Sequence, residues 1–173
     1  LFACFCAAIL VIFICLPTPQ RADSSCDTSA IDDFFRDLDK VYSPTYLRQR
    51  CYVLRSTVPV GTTKWLQRDH RLPNLAHSPE FLTARCAVTD AQLPARNIIG
   101  TPGLPKGHAA WKLCNLYERR FPGIQTHFMT SCESEAVKLI QNSFFAVKIA
   151  FFNEARTLVD KLDLNWDVII RGV

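Results

Sequence analysis

The 173-residue chain lacks several marks of specialised function, and each gap excludes something. No Lys or Arg run exceeds two residues, and the formal charge of +4 is mild and evenly spread. A nucleic-acid partner, which needs massed cations, is therefore not expected, although a few well-placed cations could still meet a phosphorylated ligand. No Cys-x-x-Cys pair occurs, and no His stands at ligand spacing from a second His or Cys, so no metal site is expected. The eight cysteines, Cys4, Cys6, Cys15, Cys26, Cys51, Cys86, Cys114 and Cys132, are scattered. Among long apolar elements they suit free thiols in a reducing, cytoplasmic compartment better than a secreted disulfide framework.

Hydrophobic content of 49% and charged content of 21% are those of an ordinary globular chain. The length gives room for one core, or one domain plus an arm of a second. Leu1 to Leu16 are all apolar. The run is short of the roughly 20 residues a membrane span needs, and it has no positive flank of the kind a signal peptide carries. A fully buried strand over residues 8–15, as in a parallel sheet covered on both faces, is an equal reading.

Beyond the Pro17-Thr-Pro19 break, apolar spacing at Ile31, Phe34, Phe35 and Leu38 predicts a helix over residues 30–42, capped by Asp27, Thr28 or Ser29. Strands follow at residues 51–54, near His77, at 97–99 and near 126–129. Helical segments are expected at 62–70, 78–87 and 106–120. This alternation predicts an α/β fold with a parallel sheet. Residues 132–162 contain neither Pro nor Gly. They predict one helix of roughly 45 Å, whose Phe144, Phe145, Phe151 and Phe152 are expected to be buried between domains or subunits. Asn165 is placed to cap a short helix that runs to Arg171.

Three stretches, in order, carry a resemblance. They are Ser56-Thr-Val-Pro-Val-Gly-Thr-Thr63 after a strand; Ser78-Pro-Glu-Phe-Leu82 with Cys86-Ala-Val-Thr-Asp90 and Arg96-Asn-Ile-Ile-Gly100; and Glu135 through Glu154. Together they resemble the UDP-glucose/GDP-mannose dehydrogenase family over nearly the whole chain. The resemblance implies a partial Rossmann-like parallel sheet followed by a long central helix. It makes residues 1–131 the later part of an NAD-binding domain and 132–173 the central helix with the start of the next one. It turns the apolar opening into a central strand, with no membrane partner. NAD is the implied cofactor and a UDP-sugar the implied substrate, oxidised from alcohol to acid in two hydride transfers by way of a cysteine thioester. A homo-oligomer or a partner protein is expected to cover the 132–162 helix, where Lys148, Asn153 and Glu154 are packing and interface residues.

The same resemblance assigns roles. Lys138 and Asn142, four residues apart and so on one helical face, match the oxyanion-stabilising pair. Glu80 matches the carboxylate that assists hydrolysis, and otherwise reads as a charge at a helix start. Thr57 lies near cofactor and catalytic water, and otherwise reads as a turn hydroxyl capping the next helix. Thr18 is on the cofactor side, while Phe81 and Leu82 belong to the loop whose backbone holds the nucleotide sugar.

The sequence also departs from the pattern. It contains no Gly-x-Gly-x-x-Gly turn and no Gly-Gly-x-Cys-Phe-x-Lys-Asp segment, so none of the eight cysteines is assigned as nucleophile. Ala84 and Arg85 stand where the family writes Glu and Gly. The expectation is therefore a portion of an NAD-dependent UDP-glucose 6-dehydrogenase, incomplete for catalysis. The alternative is an inactive homologue serving as a structural or assembly protein.

Overall fold

The computed structural model describes residues 11–103 and 108–173. The expected start of the first strand at Ala8 and of a later helix at Lys106 lie outside the described residues. The chain divides into two compact units, Leu1–Lys138 and Leu139–Val173.

In the first unit five strands lie side by side in sequence order: β1 (Val11–Ile14), β2 (Cys51–Leu54), β3 (Leu75–His77), β4 (Asn97–Thr101) and β5 (Thr126–Thr130). Side chains alternate across a strand, and β2 divides its own accordingly. Tyr52 and Leu54 join Ile14 and Leu75 against Ile31 and Phe35 of α1 (Ser29–Val41), Leu47 of α2 (Pro44–Arg48) and Leu66 of α3 (Thr62–Asp69). Cys51 and Val53 join Ala76 and Ile99 against Ala110, Leu113, Cys114 and Tyr117 of α5 (His108–Arg120). Helices therefore cover both faces, which explains why β2, β3 and β4 are buried at every residue. Each large core side chain so enclosed contributes about 1.5–3 kcal/mol.

The sheet is not wholly parallel. β1, β2 and β3 run parallel, as do β4 and β5, but β3 meets β4 antiparallel with His77 opposite Gly100. A parallel return needs a crossover laid along a sheet face, usually a helix. The expected helix at 78–87 does not form; residues 78–83 are irregular, followed by a 3-10 turn (Ala84–Cys86) and the six-residue α4 (Ala87–Gln92). Residues 78–96 thus stay at the carboxyl end of β3 and send β4 back the other way. The short α2 was not expected either, although Ser43-Pro44 is a helix-start signal: the Ser43 hydroxyl accepts from the Tyr46 amide at 3.3 Å, with Pro at the first position.

α6 (Ser131–Lys161) opens with a capping box. Glu133 Oε2 accepts from the amide and hydroxyl of Thr130 at 2.7 and 2.8 Å, and the Glu133 amide donates to the Thr130 hydroxyl at 3.3 Å. Its first turns bury Ser131, Ser134, Glu135 and Lys138. Gly100 allows this, because a Cβ there would collide with Ser134 Cβ and stand 3.0 Å from Ser131 Cα.

The second unit holds the rest of α6 and α7 (Trp166–Ile170), whose Asn165 cap accepts from the Asp167 and Val168 amides at 2.9 and 3.2 Å. Phe144, Phe145 and Phe151 are 61, 48 and 63% exposed within this unit, so the expected burial between domains or subunits is not supplied by the unit itself. The physical reason is the small size of the unit. α7 meets only one side of α6, where Trp166 packs edge-on against Phe152 with ring centroids 6.5 Å apart.

Candidate functional site

The carboxyl ends of parallel strands are where ligands gather in open α/β sheets, and here those ends are tied together. The Arg55 amide donates to Ile14 O at 2.9 Å and the Ser56 hydroxyl to Leu16 O at 2.7 Å, locking the turns after β1 and β2. The Thr18 hydroxyl then donates to Thr57 O at 2.7 Å, so the two expected cofactor-side residues do meet. Thr57 does not cap α3; the N-cap is Gly61, whose φ of +97° is left-handed and suits glycine.

After β3, the backbone turns past Ser78 into Pro79, Glu80, Phe81 and Leu82. Lys138, in the second turn of α6, reaches this segment. Its ammonium donates to Glu80 O at 2.6 Å and to Glu80 Oε1 at 2.9 Å, with only 7% of its side chain exposed. It also sits 5.5 Å from the centre of the Phe81 ring, whose face receives the Arg96 guanidinium at 4.4 Å. Burial acts to raise the Glu80 carboxyl, but the Leu82 amide, donating to Oε2 at 2.6 Å, and the Lys138 ammonium outweigh it and hold the group below its ordinary value. At neutral pH Glu80 is a carboxylate, an acceptor of protons rather than a donor. Of the three N–H groups of Lys138, Glu80 takes two, leaving one for an incoming oxygen. Since Glu80 lies in irregular backbone, it is not a charge at a helix start.

Leu82 is exposed and Phe81 half-buried. Asn142, on the later part of α6, belongs to the second unit, where its side chain is exposed. A cleft of about 510 Å³ opens beside Glu80, Phe81 and Leu82, bordered by Arg55, Tyr117 and Arg120 among others. Thr18, Thr57 and Lys138 are not among its walls. By the alternation of β3, His77 shares the face of Leu75, where the start of α6 packs, whereas Tyr117 belongs to the opposite face. Glu80 and Phe81, which Lys138 contacts, themselves border the cleft.

Two family descriptions match this chain. That of the NAD binding domain of the UDP-glucose/GDP-mannose dehydrogenase family matches residues 5–119, and that of the family's central domain matches residues 132–173. The chain belongs to the UDP-glucose/GDP-mannose dehydrogenase family. It is similar to the UDP-glucose 6-dehydrogenase of Campylobacter jejuni, 32% identical over 165 residues, covering 93% of this chain and 40% of that protein. The UDP-glucose 6-dehydrogenase of Rhizobium meliloti is also 32% identical, over 96% of this chain and 39% of its own length. The chain thus spans about 40% of the length of these relatives. In fold it is similar to a UDP-glucose dehydrogenase from Pyrobaculum islandicum, with a TM-score of 0.77, 27% identity and coverage of 96% of this chain and 39% of that one. The GDP-mannose dehydrogenase of Pseudomonas aeruginosa, at 21% identity, shares the fold with a TM-score of 0.77, over 98% of this chain and 40% of its own.

As a member of this dehydrogenase family, the chain also uses residues that sequence reasoning did not single out. Arg55 donates to Tyr117 Oη at 3.0 Å, and the Tyr117 and Ser78 hydroxyls share a hydrogen bond of 2.8 Å. These bonds brace the turn leading into Pro79 and Glu80. His77 holds Ser134 at 2.7 Å through Nδ1, and burial pushes its imidazole down to about 4. No short-range signal marks these pairs, because the partners stand 39 to 62 residues apart. Burial pushes the Cys51 thiol up to about 11 and raises Cys114, so neither supplies a thiolate at neutral pH. Cys15, Cys26, Cys86, Cys114 and Cys132 carry free thiols, and no group of three metal-ligating side chains occurs among the described residues. No described helix is long and apolar enough to cross a membrane.

Proposed function

We propose that the protein carries the proton-handling and oxyanion-binding part of an NAD-dependent UDP-glucose 6-dehydrogenase, and that these 173 residues alone do not complete the reaction. The Lys138–Glu80 pair carries the reading. A nearly buried ammonium, with one N–H to spare, stands against a carboxylate at the carboxyl end of a parallel strand. Oxidation of a primary alcohol to an acid develops negative charge on oxygen at each hydride transfer. A cation fixed in a site that excludes water stabilises it there. Lys138 takes the oxyanion role. Glu80, ionised at neutral pH, accepts a proton from substrate or water. The backbone at Phe81 and Leu82 holds the sugar.

NAD, when bound, supplies the hydride acceptor. Thr18 and Thr57, which join the turns after β1 and β2, are the residues that would face its nicotinamide side. The glycine turn that would hold the pyrophosphate is not in the sequence. The same reading makes residues 1–131 the later part of the NAD-binding domain and 132–173 the central segment, with a cytoplasmic place and a role in making polysaccharide precursors. The apolar face at Phe144, Phe145 and Phe151 favours a second element, a homo-oligomer or partner protein meeting this helix. It also supports the alternative of an assembly protein that no longer catalyses.

The test is calorimetric titration of the purified chain with UDP-glucose, followed at 340 nm after NAD is added. Saturable binding is expected, weakened about tenfold or more in Lys138→Met, the loss of one charge-assisted contact, with no NADH formed. No binding up to millimolar UDP-glucose overturns the substrate assignment, and turnover by the chain itself overturns its incompleteness.

A further inference from the structure

Glu135 is fully buried at 0% exposure, where a carboxylate survives only if several donors surround it. It has three. Oε2 accepts from the Gly61 amide at 2.5 Å, and Oε1 accepts from the amide and hydroxyl of Thr63 at 2.7 and 2.6 Å. Both amides belong to the start of α3, where the N-cap is a glycine and makes no side-chain cap. A serine or aspartate at position 61 would cap α3 locally, though the left-handed φ of +97° excludes most residues there. A carboxylate arriving from 72 residues away does more than a local cap could, because it joins α3 to another element.

That element is α6, and three residues further along it Lys138 grips Glu80. In the other direction, Gly61 closes a stiff turn. Pro59 fixes its own φ, and its carbonyl accepts from the Thr62 amide at 3.2 Å and the Thr62 hydroxyl at 2.7 Å. At the head of the same turn Thr57 O holds the Thr18 hydroxyl at 2.7 Å. The connected path runs from Glu80 through Lys138 and Glu135 to Gly61, Thr57 and Thr18. We infer that Glu135 is a positioning residue which keeps the Thr18–Thr57 side of the site in register with the Lys138–Glu80 side. This rests on the reading of those four residues as one site. Glu135 itself touches no reacting atom. Its effect is to fix the spacing between two groups that must act on one substrate, where displacements near 1 Å can cost about a hundredfold in rate.

The experiment uses the 15N-labelled full chain with no ligand, so its outcome is independent of whether UDP-glucose binds. In Glu135→Gln the side-chain oxygen still faces Thr63, but its NH2 meets the Gly61 N–H, donor against donor. Amide exchange at Gly61 is expected to rise at least tenfold. Chemical shifts should move at Thr57, Val58, Val60 and Gly61 and at Thr18, while the amides of β4 stay in place. A purely structural carboxylate would instead raise exchange everywhere in proportion to lost global stability. Uniform change, or unmoved Thr57 and Thr18 resonances, overturns the inference. If Glu135→Gln does not fold, Thr63→Val, which removes only the hydroxyl bond, decides the matter. Smaller shifts over the same Thr57–Gly61 amides support the inference, and their absence overturns it.

Discussion

The first turns of α6 and its later turns invert the usual rule of burial in opposite senses. Between Ser131 and Lys138 the helix buries polar groups, two serines, a glutamate and a lysine, all 6% exposed or less. Between Ile140 and Phe151 it exposes apolar ones, with Ile140, Phe144, Val147, Ile149 and Phe151 each more than 60% open. Composition would assign the halves the other way. The difference lies in what three of the four buried side chains meet, Ser131 Oγ having no partner among the described residues. Ser134 has His77, Glu135 has Gly61 and Thr63, and Lys138 has Glu80. Each buried polar atom that is matched in this way loses little on leaving water, and each match is specific to one geometry. The exposed phenylalanines meet neighbouring rings of their own helix, Phe144 with Phe145 at 6.0 Å and Phe151 with Phe152 at 5.4 Å, yet stay largely open and so leave room for a surface from elsewhere.

The strongest way to break the buried half is acid. His77 is fully buried beside Ser134, and burial holds its imidazole at about 4 against 6.5 in the unfolded chain. The unfolded state therefore takes up the proton first. This group's contribution is complete above about pH 6.5 and is lost as pH falls towards 4. The loss reaches about 3 kcal/mol at most, from 1.36 kcal/mol per unit. Urea unfolding of wild type and His77→Gln at pH 7, 6, 5 and 4.5 tests it. The wild type should lose stability more steeply, and the difference between the two slopes isolates His77 from other titrating groups. Parallel slopes would show that the buried half is indifferent to acid.

A steric change sharpens the same contrast. Gly100→Ala drives a methyl group into Ser134 Cβ and towards Ser131 Cα, where α6 lies directly on β4. Overpacking of this kind costs about 1–3 kcal/mol, read as a lower urea midpoint. Pairing it with Ser134→Gly removes the opposing Cβ and should recover part of the loss, less about 1 kcal/mol for a glycine inside a helix. An unaltered midpoint in the single variant would mean that α6 is not seated on β4 as described.

The sequence made the two-faced sheet legible through β2, whose Cys-Tyr-Val-Leu run is apolar at every position and feeds both cores. The Thr57 turn, the Glu80 loop and Lys138 were recognisable by their resemblance to the family's motifs, which are short runs of adjacent residues. Direction was not. Whether β4 runs with or against β3 depends on whether residues 78–96 cross a sheet face, and Ser78 to Ala87 has enough helical character to suggest that they do. The role of Glu135 was hidden by distance, since its partners lie more than 70 residues earlier. Periodicity identified the phenylalanines of α6 as apolar positions, but it carries no information on what covers them.

The smallest effect on stability is expected where the side chains are most hydrophobic. Replacing Phe144 and Phe151 by Asp should change the urea midpoint of the chain by no more than about 0.5 kcal/mol, because the rings are already in water. Association should respond instead. A contiguous apolar helix face this open drives wild-type chains to pair or to capture another surface, so the sedimentation coefficient should rise with concentration, and the double variant should sediment as a monomer. A wild-type chain that stays monomeric at every concentration would show that the face needs no cover in water. A double variant that unfolds would show that the later turns, like the first ones, hold their place by specific contacts, and the contrast between the two halves of α6 would disappear.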